Sequence, residues 1–447
     1  MGNNAIIDMF GIIDCELITI EKNIGKNGQE YNNIQFNYVG EEPDKCLACG
    51  KKAYGHGTRT LKLNDTPIFG LPAVISITHP RKRCLDCGWL WQPDFDYLTK
   101  DHKMTDRAML DIAQRSIRTT FEDITNDYAL TANTAKNIFV EFMETYKQNL
   151  MFKTPAFLGI DEIKIKKIGE VTVITDIEHR TLFDMLPKRN QPALTQYFNQ
   201  LPNADEVLWV CSDMYRPFEK SIASSLPNAR WAIDHFHVVM KANEAVDKVR
   251  RELQDSMTKK DRIQTKRGLA YTLKTRAKDL DTEEAEKIKA ARKDPKTAPL
   301  AIAYDLKEDF FDIYDNNPES KDNAMKAFEN WVKIIPEDEI YDKFRELANT
   351  VYNFYEQIFA YWDCPIAISN GFTECSNRII RENNLKGRGY SFEVLRGRTL
   401  YRKANLDRLI QSDMIGPRIP EHGPVFHFDS CKEEDENPMY DSEDDSD

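Results

Sequence analysis

Four cysteines constrain this chain more than any other feature. They stand in two knuckles of one form, CLACG with Cys46 and Cys49 and CLDCG with Cys84 and Cys87, thirty-four residues apart. In each, a glycine follows the second cysteine and lets the backbone turn beneath the sulfurs, so four thiolates come within tetrahedral reach of one ion. A closed four-thiolate set has no position left for substrate, so the expected ion is one structural Zn²⁺. The spacing is longer than in a common zinc finger and predicts a ribbon that joins two distant turns. His56 and His79 lie between the knuckles as spare donors. Arg81, Lys82 and Arg83, in HPRKRC, give that ribbon a basic edge suited to DNA.

The chain holds nine cysteines in 447 residues, and the other five are scattered singly, so they read as reduced thiols and not as a disulfide framework. No run approaches the ~20 apolar residues of a membrane span, and the first twenty residues lack a basic stretch before their apolar ones. The expectation is a cytoplasmic protein with no membrane partner. A net charge of −12 argues against nucleic acid until its distribution is seen: residues 433–447 account for −9 of it, leaving −3 for the rest. Residues 241–278 carry twelve Lys/Arg against five Asp/Glu, and residues 378–408 nine against three. Such patches on a near-neutral body are compatible with phosphate binding, and equally with the solvated faces of long helices.

The hydrophobic period divides the chain. Residues 1–40 carry no clear signal and 41–100 form the ribbon. In 101–150, helices begin at Thr105 as an N-cap candidate, with Ala108, Met109, Ile112 and Ala113 as an apolar stripe. A short polar connection at 130–133 predicts a helix-turn-helix whose second helix, from about Asn133 and including Lys136, enters the major groove. Residues 151–240 then read as three strands, helix, strand, helix and strand, a mixed α/β unit with crossover helices. Helical patterns rich in Lys and Glu fill 241–360. Residues 361–412 close the α/β unit, and 413–447 form an acidic tail whose composition predicts disorder.

Asp161 sits inside the first strand, in GIDEIKI, and Asp213 closes the fourth, in VLWVCSD. Sites in open α/β sheets gather at the carboxyl ends of strands, and two close carboxylates need a cation between them. In SNGFTECSNRIIRENNLKGRGYSF, Ser369 or Asn370 can cap a helix with Phe372, Cys375 and Ile379 on its apolar side. Glu374, Asn377, Arg378 and Arg381 then project from the other side, a face suited to a metal ion beside a phosphate. Lys386 and Arg388 suit DNA backbone, with Gly387 and Gly389 permitting close approach. His235 and His237, in IDHFHV, read as structural histidines at the end of the last strand, and Asp234 as a supporting residue.

Together the two knuckles, the helix-turn-helix, GIDEIKI, CSDMYRPF, IDHFHV and SNGFTECSNRIIR…GYSF resemble the insertion-sequence transposases of the ISL-three family, over roughly residues 45–410. The resemblance implies a multidomain α/β protein: an RNase-H-like mixed sheet with a large all-α insertion, preceded by a zinc ribbon and a helix-turn-helix. It implies a DDE triad of Asp161, Asp213 and Glu374 holding two Mg²⁺ (or Mn²⁺) ions, which cleave DNA at the element ends and join them to target DNA. It also implies a homodimer, since two ends must be held together. The rival readings are a DNA-binding regulator derived from a transposase, a metal-dependent nuclease without strand transfer, and a scaffold built on the helical segment.

Overall fold

The computed structural model describes residues 10–25, 28–95, 98, 102–188, 190–255, 257–259, 262–263 and 269–417. Residues 418–447 of the acidic tail and the first nine residues lie outside these. The chain divides into two compact units, one made of 1–151, 382–406 and 415–447, the other of 152–381 and 407–414.

The first unit is built on a long hairpin. Strands β3 (Ala53–Ile68) and β4 (Leu71–Cys84) pair antiparallel, with Ala53 opposite Cys84. Phe69 and Gly70 make the two-residue turn at positive φ, 52° and 76°, the backbone that matches the twist of the flanking strands. The thirty-four residues between the knuckles are therefore the hairpin itself, which carries Cys84 back to the end where Cys49 left off. Strand β5 (Leu90–Trp91) pairs with β4 just beyond the second knuckle.

Residues that gave no signal in the sequence also join this sheet. Strands β1 (Cys15–Ile24) and β2 (Glu30–Tyr38) form a hairpin, and β2 runs parallel to β4. Alternate side chains point inward, so Ile34 and Phe36 meet Leu63, Ala73, Ile75 and Ile77 in one core.

Three helices follow: α1 (Asp106–Ser116), α2 (Phe121–Tyr128) and α3 (Ala132–Asn149), then a short strand β6 (Leu150–Phe152). Their starts are set by Thr105, Thr120 and Thr131, each accepting a backbone N–H, at about 1 kcal/mol apiece. The α2–α3 turn spans 129–131, with Ala129 left-handed, so Asn133 already lies inside α3.

In the second unit a five-stranded sheet carries the order β11-β10-β7-β8-β9. Its strands are β7 (Phe157–Ile165), β8 (Gly169–Asp176), β9 (Thr181–Leu186), β10 (Trp209–Ser212) and β11 (Arg230–Ile233). The first three form an antiparallel meander; β10 and β11 return parallel to β7 after α4 (Gln191–Asn199) and α5 (Arg216–Ser225). One face, with Leu158, Ile160, Val210 and Ile233, shares a core with α6 (His235–Asp255), α7 (Thr282–Lys293), α8 (Ala298–Asp315), α9 (Lys321–Ile334), α10 (Asp342–Asn353) and α11 (Tyr355–Phe359). The other face carries Phe157, Trp209, Cys211 and Ala232. The expected strand over 229–238 is cut short: β11 stops at Ile233, and His235 and His237 open α6. Asp234 ends the strand by accepting the Phe236 N–H at 3.4 Å, a local bond that competes with the ladder.

Helix α12 (Gly371–Lys386) follows, then α13 (Phe392–Leu400) and α14 (Lys403–Gln411). Residues 382–406, grouped by sequence with the catalytic segment, fall in the first unit. There Arg398, almost fully buried, donates to the carbonyls of Ser116 and Thr119 at the end of α1 and packs on the Tyr390 ring. Among the described residues no helix is long and apolar enough to cross a membrane.

Candidate functional site

The acids occupy one level of the sheet. Cys211 pairs with Gly159 and Ser212 with Ile233, so continuing the register past β10 sets Asp213 level with Asp161 on one side and Asp234 on the other. Alternation from Phe157, Trp209, Cys211 and Ala232 carries all three onto the sheet face opposite the large helical core. Asp213 is half-buried and precedes α5, but that helix has Tyr215 as its N-cap, without a side-chain bond. Asp213 is therefore not the cap of that helix.

Helix α12 covers this face, and not in the way its apolar residues suggested. The expected inward side was Phe372, Cys375 and Ile379, yet Cys375 is exposed and the buried positions are Thr373, Ser376, Asn377 and Ile380, preceded by buried Asn370. The reason is the surface beneath, which offers polar groups. Asn370 Nδ2 donates to the Ile160 carbonyl at 2.9 Å, the Thr373 and Thr175 hydroxyls share a 2.7 Å bond, and Asn377 Nδ2 donates to Asp161 Oδ2 at 2.6 Å. The approach requires glycine at 159. A Cβ there would lie 2.5 Å from Thr175 Oγ1 and 2.8 Å from Asn370 Oδ1 and Thr373 Oγ1. Gly159→Ala should lower unfolding stability by about 1–3 kcal/mol, as overpacking does, measured by urea titration; an unchanged midpoint would mean that the helix does not dock there.

This docking places Glu374 in a cluster with Asp234 and His237, whose ligand atoms all lie within 4.8 Å of one another. Asp161 adjoins it electrostatically. Its carboxyl is raised above the ordinary 3.8, first by burial and further by Asp234, while Asn377 and His237 pull the other way. Glu374 is raised above 4.5 by burial, then by Asp234 and Asp161. A carboxyl raised by folding contributes stability that is full below its unfolded value and fades as pH climbs through the folded one. In the metal-free protein the contribution of these two groups to stability should therefore fall as pH rises above about 4. Asp161→Asn should raise its Tm at pH 7.5 more than at pH 4, by a few degrees for each ~1 kcal/mol; an equal shift at both pH values would exclude charge repulsion as the cause.

Oxygen donors that crowd together, partly desolvated and mutually repelling, suit a hard divalent cation. In the sequence alone, Asp234 and His237 read only as background residues. The available signal was a repeat: WVCSD and WAID are both short apolar strands that end in aspartate.

The second donor set lies at the open end of the β3–β4 hairpin. Cys46 and Cys87 sulfurs are 3.5 Å apart, Cys49 and Cys84 sulfurs 3.6 Å, and all four lie within 4.8 Å of one another. Zinc–sulfur bonds of ~2.3 Å make a tetrahedron with edges of ~3.8 Å, close to these separations. The two knuckles superimpose in their bonding: Gly50 N–H reaches the Cys46 carbonyl and Gly88 N–H the Cys84 carbonyl, both glycines at positive φ. The Cys84 thiol is drawn down to about 7, chiefly by the Cys87 backbone N–H, which favours a thiolate ligand.

The candidate DNA contacts are dispersed. Asn133 and Lys136 are exposed on α3, Arg83 is exposed beside its knuckle, and Arg81 is half-buried. Lys82 is turned toward Glu42 and Asp44, at 3.3 and 3.7 Å, and is mostly covered. Arg378, Arg381 and Lys386 are exposed on α12, as is Arg388 just after it. Gly387 does not offer open backbone as expected: a Cβ there would strike the Tyr390 ring, so its glycine serves packing.

A family model described as a transposase matches residues 158–399, which hold Asp161, Asp213, Asp234, His237 and Glu374. The chain belongs to the ISL-three family of insertion-sequence transposases. The transposases for insertion sequence element IS1557 from two strains of Mycobacterium tuberculosis are each 27% identical to it over 263 residues, covering 53% of this chain and 57% of each relative. The chain thus spans little more than half the length of these relatives.

Proposed function

We propose that this chain is a DNA transposase that binds the ends of an insertion element in the prokaryotic cytosol and cleaves and joins DNA through Asp161, Asp213 and Glu374. The observation that carries the reading is that Asp161, Asp213 and Asp234 stand level on three neighbouring strands, under a helix that brings Glu374 to Asp234. The strand order, an antiparallel meander followed by two parallel strands on its far side, supports an RNase-H-like catalytic core. The intact acid set tells against a purely DNA-binding regulator.

Asp161, Asp213 and Glu374 would hold two Mg²⁺ or Mn²⁺ ions. These would supply acidity that activates water and positive charge that offsets the leaving 3′-oxygen. The protein's part is to fix the ligands. Asn377 holds the Asp161 carboxylate by its 2.6 Å bond, and the Asn370–Ile160 and Thr373–Thr175 bonds hold the first turn of α12 that carries Glu374. Arg378 and Arg381, exposed on the same helix, would bind the phosphates beside the cut. In the first unit, α2 and α3 with their three-residue turn support a helix-turn-helix that presents Asn133 and Lys136 to the major groove. The four cysteines would hold one structural Zn²⁺, with Arg81 and Arg83 along the ribbon toward DNA and Lys82 engaged in its ion pairs. A homodimer would hold two ends together.

The test is incubation of the purified protein with Mg²⁺ and duplex DNA bordering its own gene. Nicks that free 3′-ends at fixed positions, followed by joined products, are expected. Nicks without joining would leave a nuclease, and binding without nicks a regulator.

A further inference from the structure

The donor set drawn tightest is not the triad of aspartate, aspartate and glutamate. It contains a nitrogen. Asp234 is fully buried, and its Oδ2 has no hydrogen-bond partner. His237 Nε2 stands 4.0 Å from that oxygen and also lacks a hydrogen bond, although its ring is only about a quarter exposed. Glu374 closes the group, all three donor atoms within 4.8 Å. A buried carboxylate oxygen with no donor destabilises the fold, so it is kept where something else satisfies it. The neighbouring turn does not do so: the Phe236 N–H reaches the other oxygen, at 3.4 Å, and His235 Nδ1 lies 3.6 Å from that same oxygen.

Two donors on one ion, each with a bond of ~2.1 Å, stand at most ~4.2 Å apart. The Asp234–His237 separation already falls in that range, and the half-exposed Glu374 carboxylate has an oxygen within 4.8 Å of both. The backbone fixes the other two. Asp234 ends β11 and His237 sits three residues on, in the first turn of α6, so both donors ride on one strand–helix junction.

We propose that Asp234, His237 and Glu374 form a mixed carboxylate–imidazole site for one divalent ion, and that His237 shifts its preference from Mg²⁺ toward first-row transition ions such as Mn²⁺. Mg²⁺ takes hard oxygen donors, whereas imidazole is a ligand for transition ions. The site shares Glu374 with the proposed catalytic triad and so deepens that reading, but it needs neither Asp213 nor DNA.

The experiment titrates Mn²⁺ into the full zinc-loaded chain without DNA, with free Mn²⁺ read by electron paramagnetic resonance, and repeats it in competition with Mg²⁺. One Mn²⁺ should bind well ahead of Mg²⁺. His237→Ala should weaken it by roughly tenfold or more, on the scale of losses seen when metal-site partners are removed. His237→Gln, which restores an oxygen donor, should retain Mg²⁺ while losing the advantage of Mn²⁺. Asp213→Asn should leave the Mn²⁺ preference in place. Unchanged Mn²⁺ binding in His237→Ala, or an equal loss of Mg²⁺ and Mn²⁺ in His237→Gln, would overturn the proposal. Since no DNA is present, failure to cut or join DNA would refute the transposase reading and leave this result standing.

Discussion

Asp161→Asn and Glu374→Gln should each abolish strand cleavage, by a factor of about 10³ or more, while affinity for element-end DNA changes by less than about twofold. The size of the effect comes from losing charge stabilisation at the reacting phosphate, where one preorganised group is worth roughly 3–4 kcal/mol. The proposed binding surface is elsewhere, on exposed residues of α3, the ribbon edge and the outer side of α12. Both substitutions preserve volume, and Asn at 161 can still accept from Asn377. Cleavage that survives in either variant, or DNA binding lost in proportion, would refute the assignment. Asp213→Asn should behave alike.

Removing the zinc proposed for the four cysteines should have the second large effect. Classical four-ligand sites contribute apparent binding energies of ~10–16 kcal/mol in isolated fingers, so the segments around them do not hold without the ion. In this chain the core of Ile34, Phe36, Leu63, Ile75 and Ile77 does not depend on the sulfurs. Cys84→Ser, or chelation, should therefore unravel 44–52 and 84–91 while β2, β3 and β4 persist. Hydrogen exchange with mass spectrometry reads this directly: fast exchange confined to the knuckles is expected. Protection that survives zinc loss would mean that the thiols pack without a metal.

What could be read from the sequence was what is local. The knuckles declare themselves because spacing and glycine suffice to place sulfurs, and the thirty-four-residue gap proved to be one hairpin. The sheet strands from Phe157 to Trp209 were legible because both faces are buried and their apolar runs are continuous. The hairpin of β1 and β2 was not, since Ile18, Ile20 and Ile24 are exposed and blur the alternation. IDHFHV misled because its apolar residues continue the strand pattern, while the Asp234 turn that ends β11 is a single side-chain bond. The buried face of α12 was illegible for a deeper reason: its polar contacts exist only because residue 159 has no side chain, a condition set two hundred positions away.

The segments around 161, 213, 234–237 and 374 are proposed to surround one divalent-metal centre. The most direct measurement replaces Mg²⁺ with Fe²⁺, adds ascorbate and peroxide, and maps where the protein backbone is cut by radicals born at the bound ion. Cuts are expected beside Asp161, Asp213, Asp234 and Glu374, all suppressed together by excess Mn²⁺. Cuts at none of these segments, or at one of them alone, would contradict the proposal.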